Sequence, residues 1–221
     1  MSLLGVSEAA EKLCVSDRRV RQMLADGLLD GERIGRAWMI DAGDLRRVSR
    51  SRPKVGRPWN AASAWAVLAL AEGKASALPP VERSRAKERF ALGLDKIVDR
   101  LAARADRRSF YVHPSVLAHL EESSKVVRGG VSAAADVGAD ILARGEFEGY
   151  VSGRHIAELV SAFGMDEQAA RPNVVLRVVD DSVWPFGSGQ KVASRSVVAV
   201  DLLESADPRS RRAGMNLLVV K

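Results

Sequence analysis

Residues 6–29 read VSEAAEKLCVSDRRVRQMLADGLL, and the spacing inside this stretch decides the fold of the N-terminal part of the chain. Val20, Met23 and Leu24 recur at i, i+3 and i+4, so a helix starting at Asp17 turns them toward a core. Arg18, Arg21, Gln22 and Ala25 then fall on the opposite face, with Arg19 at the flank. Ser16 is a good capping residue, Asp17 suits the positive end of the helix dipole, and Gly27 ends the helix. Val15 and Val20 fit a hydrophobic staple across the cap. Ahead of this lies a first helix, capped at Ser7, with Ala9, Ala10 and Leu13 inward and Cys14-Val15 as the turn.

Two short apolar strands follow, flanking Gly35-Arg36 within LLDGERIGRAWMI (28–40). They predict a hairpin with a basic tip and Trp38 packed on the core. Asp41 caps a third helix containing Asp44, Leu45 and Val48. Helix, turn, helix and hairpin together predict a winged helix-turn-helix over residues 1–48.

Such a module meets double-stranded DNA with its second helix. Arginine pairs with guanine O6 and N7, and glutamine with adenine N6 and N7, so Arg18, Arg21 and Gln22 are candidates for base edges. Arg19 is a candidate phosphate contact, and Ser16 and Asp17 belong to the N-terminal turn that reaches deepest. Arg33 and Arg36 complete the set on the hairpin, with Arg36 on phosphate or in the minor groove. Residues 49–58, SRSRPKVGRP, have a linker's composition. Arg50, Arg52, Lys54 and Arg57 there, after Arg46 and Arg47 and with no acid among them, read either as a DNA-contacting arm or as a soluble linker.

The stretches VSEAAEKLCVSDRRVRQMLADGLL, RIGRAWMI and DAGDL resemble the excisionase branch of the MerR-like winged-helix family. That resemblance implies DNA binding through the second helix and the wing. Farther along, GRPWNAASAWAVLALAEG (56–73), ERSRAKERF (82–90), YVHPSVLAHLEES (111–123), VVRGGVSAAADVG (126–138) and AVDLLESADPRSRRAGMNLL (199–218) resemble the AbiEi-type antitoxins, partners of nucleotidyltransferase toxins. This second resemblance implies an autorepressor whose C-terminal part counteracts a cognate toxin protein. Two other readings stay open: a phage or plasmid excisionase or repressor, and a ligand-sensing transcription factor with a pocket at Trp184-Pro185-Phe186, a segment that also reads as a core patch.

The rest of the chain bounds these readings. A hydrophobic content of 47% supports a packed core, and helix formers outweigh the 5% of aromatics, so the expected fold is α+β and helix-rich. The net charge of +6 divides as +4 over residues 1–60, +4 over 61–110 and −2 over 111–221, a basic front joined to a slightly acidic back. The 221 residues therefore read as the winged helix, the basic linker 49–58, a helical region 59–109 and a mixed α/β domain 110–221 that regulates or binds a partner. In 59–109, Asn60 caps a helix to Gly73 with Ala61, Trp65, Leu68 and Ala69 along one side. After Leu78-Pro79-Pro80, the residues Phe90, Leu94, Ile97, Val98 and Leu101 repeat at helical spacing. Arg83, Arg85, Lys87, Arg89, Lys96, Arg100, Arg104, Arg107 and Arg108 are expected on the solvated side, or as a second DNA contact. In 110–221, helices are expected from His113 to Leu120, Ser132 to Arg144 and Gly153 to Phe163, a strand over Val174–Val179, and a helix start at Asp207-Pro208. Val197–Leu203 fits a strand or a helix.

An enzyme is not expected, nor any cofactor. His113, His119 and His155 show no metal spacing, and Gly187–Lys191 reads as a flexible turn rather than a phosphate loop. Ser132, Ser152 and Ser161 have no evident base. Asp201, Glu204 and Asp207 read as a helix cap and surface. Cys14 is the single cysteine, which excludes an intramolecular disulfide. No signal peptide and no apolar run of the roughly 18–20 residues a membrane helix needs is evident, so a cytoplasmic protein is expected. A homodimer on paired half-sites is compatible with so small a reading head.

Overall fold

The computed structural model describes residues 3–13, 16–25, 29, 31–35, 37–41 and 57–219. The chain combines helices with two sheets in an α+β arrangement and divides into two units, Met1–Pro53 and Lys54–Lys221.

In the first unit, strand β1 (Leu3–Leu4) precedes helices α1 (Val6–Leu13) and α2 (Asp17–Ala25) and strands β2 (Gly31–Ile34) and β3 (Ala37–Asp41). The sheet is antiparallel in the order β1-β3-β2, with Leu4 opposite Ile40 and Arg33 opposite Trp38. Gly35 makes the turn at φ +63°, where a glycine costs least. Ala9, Ala10 and Leu13 of α1 pack with Val20, Met23 and Leu24 of α2, over Leu4, Leu29 and Ile40. Trp38 is half-buried against this core, as its position in the hairpin predicts. Ser7 departs from its expected cap role. The helix already begins at Val6, and the Ser7 hydroxyl donates to Asp17 Oδ2 at 2.9 Å, tying α1 to the first turn of α2. Cys14, Val15, Gly27 and the expected third helix lie outside the described residues.

The second unit opens with helix α3 (Ala61–Ala71), whose Asn60 side chain accepts from Ser63 N at 2.9 Å, as expected of the cap. Burial is not confined to one side, because Ala64, Trp65, Ala66, Val67 and Leu68 are all buried. A helix that is apolar all round belongs in a core. The periodic run from Phe90 to Leu101 is broken. Helix α4 (Pro80–Phe90) ends, Gly93 turns at φ +88°, and helix α5 (Leu94–Leu101) restarts, leaving Phe90 partly exposed while Leu94, Ile97 and Leu101 are buried.

Strands β4 (Asp106–Phe110), β5 (Val126–Arg128), β6 (Phe147–Ser152) and β7 (Val174–Val179) form a sheet in the order β4-β7-β6-β5. β6 and β7 run parallel and the other pairs antiparallel. The parallel pair needs a crossover, which carries helix α7 (Ile156–Ala162); helix α6 (Leu117–Glu122) lies between β4 and β5. Both faces of the sheet are covered, and alternate residues serve each. Phe110, Val126, Phe147, Val151, Val174 and Leu176 pack with Leu120 of α6 and Leu159 of α7. Val127, Tyr150 and Val179 face the other way, into a core shared with α3, α5, helix α8 (Arg195–Leu203) and helix α9 (Pro208–Val219). Residues 59–109 are therefore not a region apart: their apolar side chains complete the core of 110–221.

Two further expectations change. Ser132–Arg144 is not an α-helix but contains short 3-10 turns, Gly130–Ala133 and Ala135–Val137, the second stopped by Gly138 at φ +82°. Val197–Leu203 resolves as helix within α8. Asp207 caps α9 as predicted, accepting from Ser210 N at 2.9 Å and Arg209 N at 3.2 Å. Among the described residues, no helix is long and apolar enough to cross a membrane.

Candidate nucleic-acid interface

The sequence of α2 alternates its burden with the helical period, and the fold follows. Val20 is fully buried and Met23 and Leu24 nearly so, which pins one face of α2 inside the first unit. Ser16, Arg18, Arg21 and Gln22 are on the other side, all of them exposed. Asp17 is occupied by the Ser7 hydroxyl, so it serves the helix start. Arg18 and Arg21 form no ion pair with any described carboxylate, and the same holds for exposed Arg33 on β2. Among the described residues, the donors of these three guanidiniums are thus not committed to acids. The side chain of Arg19, and Arg36, Arg50, Arg52 and Lys54 altogether, lie outside the described residues. Arg57 is exposed but belongs to the second unit.

A second constellation, buried in the larger unit, escaped the sequence reading. Arg104, expected on a solvated face, is 1% exposed. Its Nη2 donates to Asp201 Oδ1 at 2.6 Å, its two Nη atoms bind the Glu204 carboxylate at 2.5 and 2.8 Å, and its Nε donates to the Tyr150 hydroxyl at 3.0 Å. That hydroxyl donates in turn to Asp201 Oδ1 at 2.6 Å, and Asp201 Oδ2 accepts from Gly130 N at 2.9 Å. Arg177 on β7 closes the cluster, 3.2 Å from Asp201 and 3.3 Å from Glu148. Asp201 and Glu204 are therefore not surface groups, although Asp207 is the expected cap.

Burial disfavours the charged form of Arg104, but Tyr150, Glu204 and Asp201 outweigh it and raise its pKa well above the ordinary value. Burial pushes the Tyr150 hydroxyl up as well, so it stays a donor. The Asp201 and Glu204 carboxylates are already engaged, and among the described residues no set of three or more His, Cys, Asp or Glu could hold a metal ion. The arrangement joins α8, β6, β7 and the segment after α5 rather than offering a reactive group. Two sequence signals pointed to it. Arg104 follows Leu94, Ile97 and Leu101 on their apolar stripe, and Asp201 is the lone charge in VVAVDLL (197–203).

Of Trp184-Pro185-Phe186, Phe186 belongs to the core and Trp184 packs partly buried against it, while Pro185 is exposed. Phe186 is buried and packs edge-on against Trp65, ring centres 5.6 Å apart. The cavity beside Pro185 and Phe186 measures only about 50 Å3.

No family model matches the chain, and no solved structure matches it. A stretch of 49 residues is 49% identical to the "Probable plasmid-partitioning protein ParA" of Thermus thermophilus, covering 21% of this chain and 15% of that protein.

Proposed function

We propose that the protein is a sequence-specific double-stranded DNA-binding regulator whose first unit acts as a winged helix-turn-helix, α2 reading the major groove and β2–β3 serving as the wing. The observation that carries this reading is the division of α2 into a buried apolar face and an opposite face bearing Arg18, Arg21 and Gln22, with both arginines free of ion pairs to described carboxylates. Exposed guanidiniums beside a glutamine suit guanine and adenine edges, and Arg33 suits the phosphate backbone. The likeness to a protein named for plasmid partitioning favours a second reading, a DNA-bound role in plasmid maintenance.

Binding to the DNA upstream of its own gene, against random DNA of equal length and at several salt concentrations, tests the proposal. The expected result is a preference for the upstream DNA that Arg18→Ala lowers by about 1–3 kcal/mol. Equal weakening on both DNAs would remove Arg18 from base reading, and no preference at all would overturn autoregulation. The antitoxin role is tested separately by co-expression with a neighbouring nucleotidyltransferase gene, where failure to rescue growth counts against it. An integrase gene in that place favours the excisionase instead.

A further inference from the structure

Arg209, Arg212, Ala213 and Asn216 sit at the i, i+3, i+4, i+7 spacing of one face of α9. That face and the segment Gly138–Asp140 border a cavity of about 480 Å3 in the second unit. Arg195, at the start of α8, forms another wall. Its Nε donates to Leu217 O at 3.0 Å and its Nη1 to Val137 O at 3.2 Å, which hold the guanidinium in place. Among the described residues, three arginines thus line the space with one carboxylate, Asp140.

The neighbouring arginine shows the difference between a structural and an available guanidinium. Arg211 Nη1 donates to Ser205 O at 3.0 Å and Ala206 O at 2.9 Å. Arg209 and Arg212 are exposed and form no ion pair among the described residues. Asp207, close in sequence, is taken up by the N–H groups of Arg209 and Ser210 and by the Ser210 hydroxyl.

We propose that this cavity binds a small organic anion, a molecule bearing phosphate or carboxylate groups. Planar guanidiniums bind both groups through paired hydrogen bonds, and the volume falls within the roughly 300–1,000 Å3 usual for small-molecule sites. Ala139, Ala213 and Leu217 supply an apolar wall for the ligand's body. The site gives the larger unit a ligand-binding role that does not depend on the DNA-binding reading.

Calorimetric titration of the full chain with sodium pyrophosphate, ATP and citrate tests the inference. Saturable binding of at least one probe is expected, one per chain. The Arg209→Ala, Arg212→Ala double variant weakens it roughly tenfold or more. The Arg85→Ala, Lys87→Ala double variant on α4 loses the same charge elsewhere and binds as the parent does. Arg212→Lys, which keeps the charge but not the fork, falls between. Preference for the phosphate probes assigns phosphate, and preference for citrate assigns carboxylate. No saturable binding of any probe, or equal loss in both double variants, overturns the proposal. Neither double variant touches α2, so its DNA binding is read independently.

Discussion

Arg104 and Asp201 are 97 residues apart in the chain and 2.6 Å apart in the fold, with both side chains shut away from solvent. The pair joins the segment after α5 to the middle of α8, and Glu204 and Tyr150 bind the same guanidinium. The cluster brings together Arg104, Arg177, Glu148, Asp201 and Glu204, so losing either arginine leaves its carboxylates short of a cation.

Removing Arg104 is therefore expected to be severe. Arg104→Met keeps the apolar stem but leaves Asp201 and Glu204 without their main cation, and should cost about 3–5 kcal/mol in urea unfolding. A loss below about 1 kcal/mol would show that water or Arg177 replaces it.

Tyr150→Phe removes one hydroxyl that both accepts from Arg104 and donates to Asp201. The ring remains, so the expected loss is smaller, about 1–3 kcal/mol from the unmade hydrogen bonds. A double-mutant cycle with Arg104→Met should show strong coupling, and additive effects would argue against one network.

Gly214 lets α9 approach α8. A Cβ there would stand 2.8 Å from Ala199 O and 3.0 Å from Leu202 Cβ, neither of which can swing aside. Gly214→Ala should lower stability by about 1–3 kcal/mol through overpacking, visible as a reduced Tm. Gly153→Ala, whose Cβ would meet only Val179 O at 3.6 Å, should leave the Tm nearly unchanged.

Glu146 has its pKa raised by burial and by the carboxylates of Glu148 and Asp207. A carboxyl whose pKa rises on folding binds its proton better in the folded state, so its ionisation costs stability as pH increases. Glu146→Gln should then stabilise at pH 7, by less than about 1 kcal/mol because solvent screens the site. The gain should vanish in acid, where both states are protonated. Equal stabilisation at pH 3 and pH 7 would point to packing instead.

The elements set by local chemistry are legible in the chain. The buried Val20, Met23 and Leu24, the caps at Asn60 and Asp207, the strand Val174–Val179 and the hairpin about Gly35 all follow from spacing or residue type within a few positions. Ser7 is ambiguous because a serine near a helix start has two uses, and only the position of Asp17 shows which one it takes. Ser132–Arg144 misleads because its alanines favour a helix, while Gly138 at positive φ stops the second of two short 3-10 turns.

For the N-terminal unit, then, the amino-acid order by itself determined which face of α2 turns inward and which arginines it leaves on the other side, since the helical period acts over three or four residues. For the larger unit, tertiary structure decided what the charges do. Arg104 and Arg100 look alike in the chain, yet one is buried among partners and the other is half-exposed, stacked beside Trp59. The reason is distance: the groups that compensate Arg104 lie far along the chain, at Tyr150, Asp201 and Glu204, and only the packing of α8 against the sheet brings them within reach.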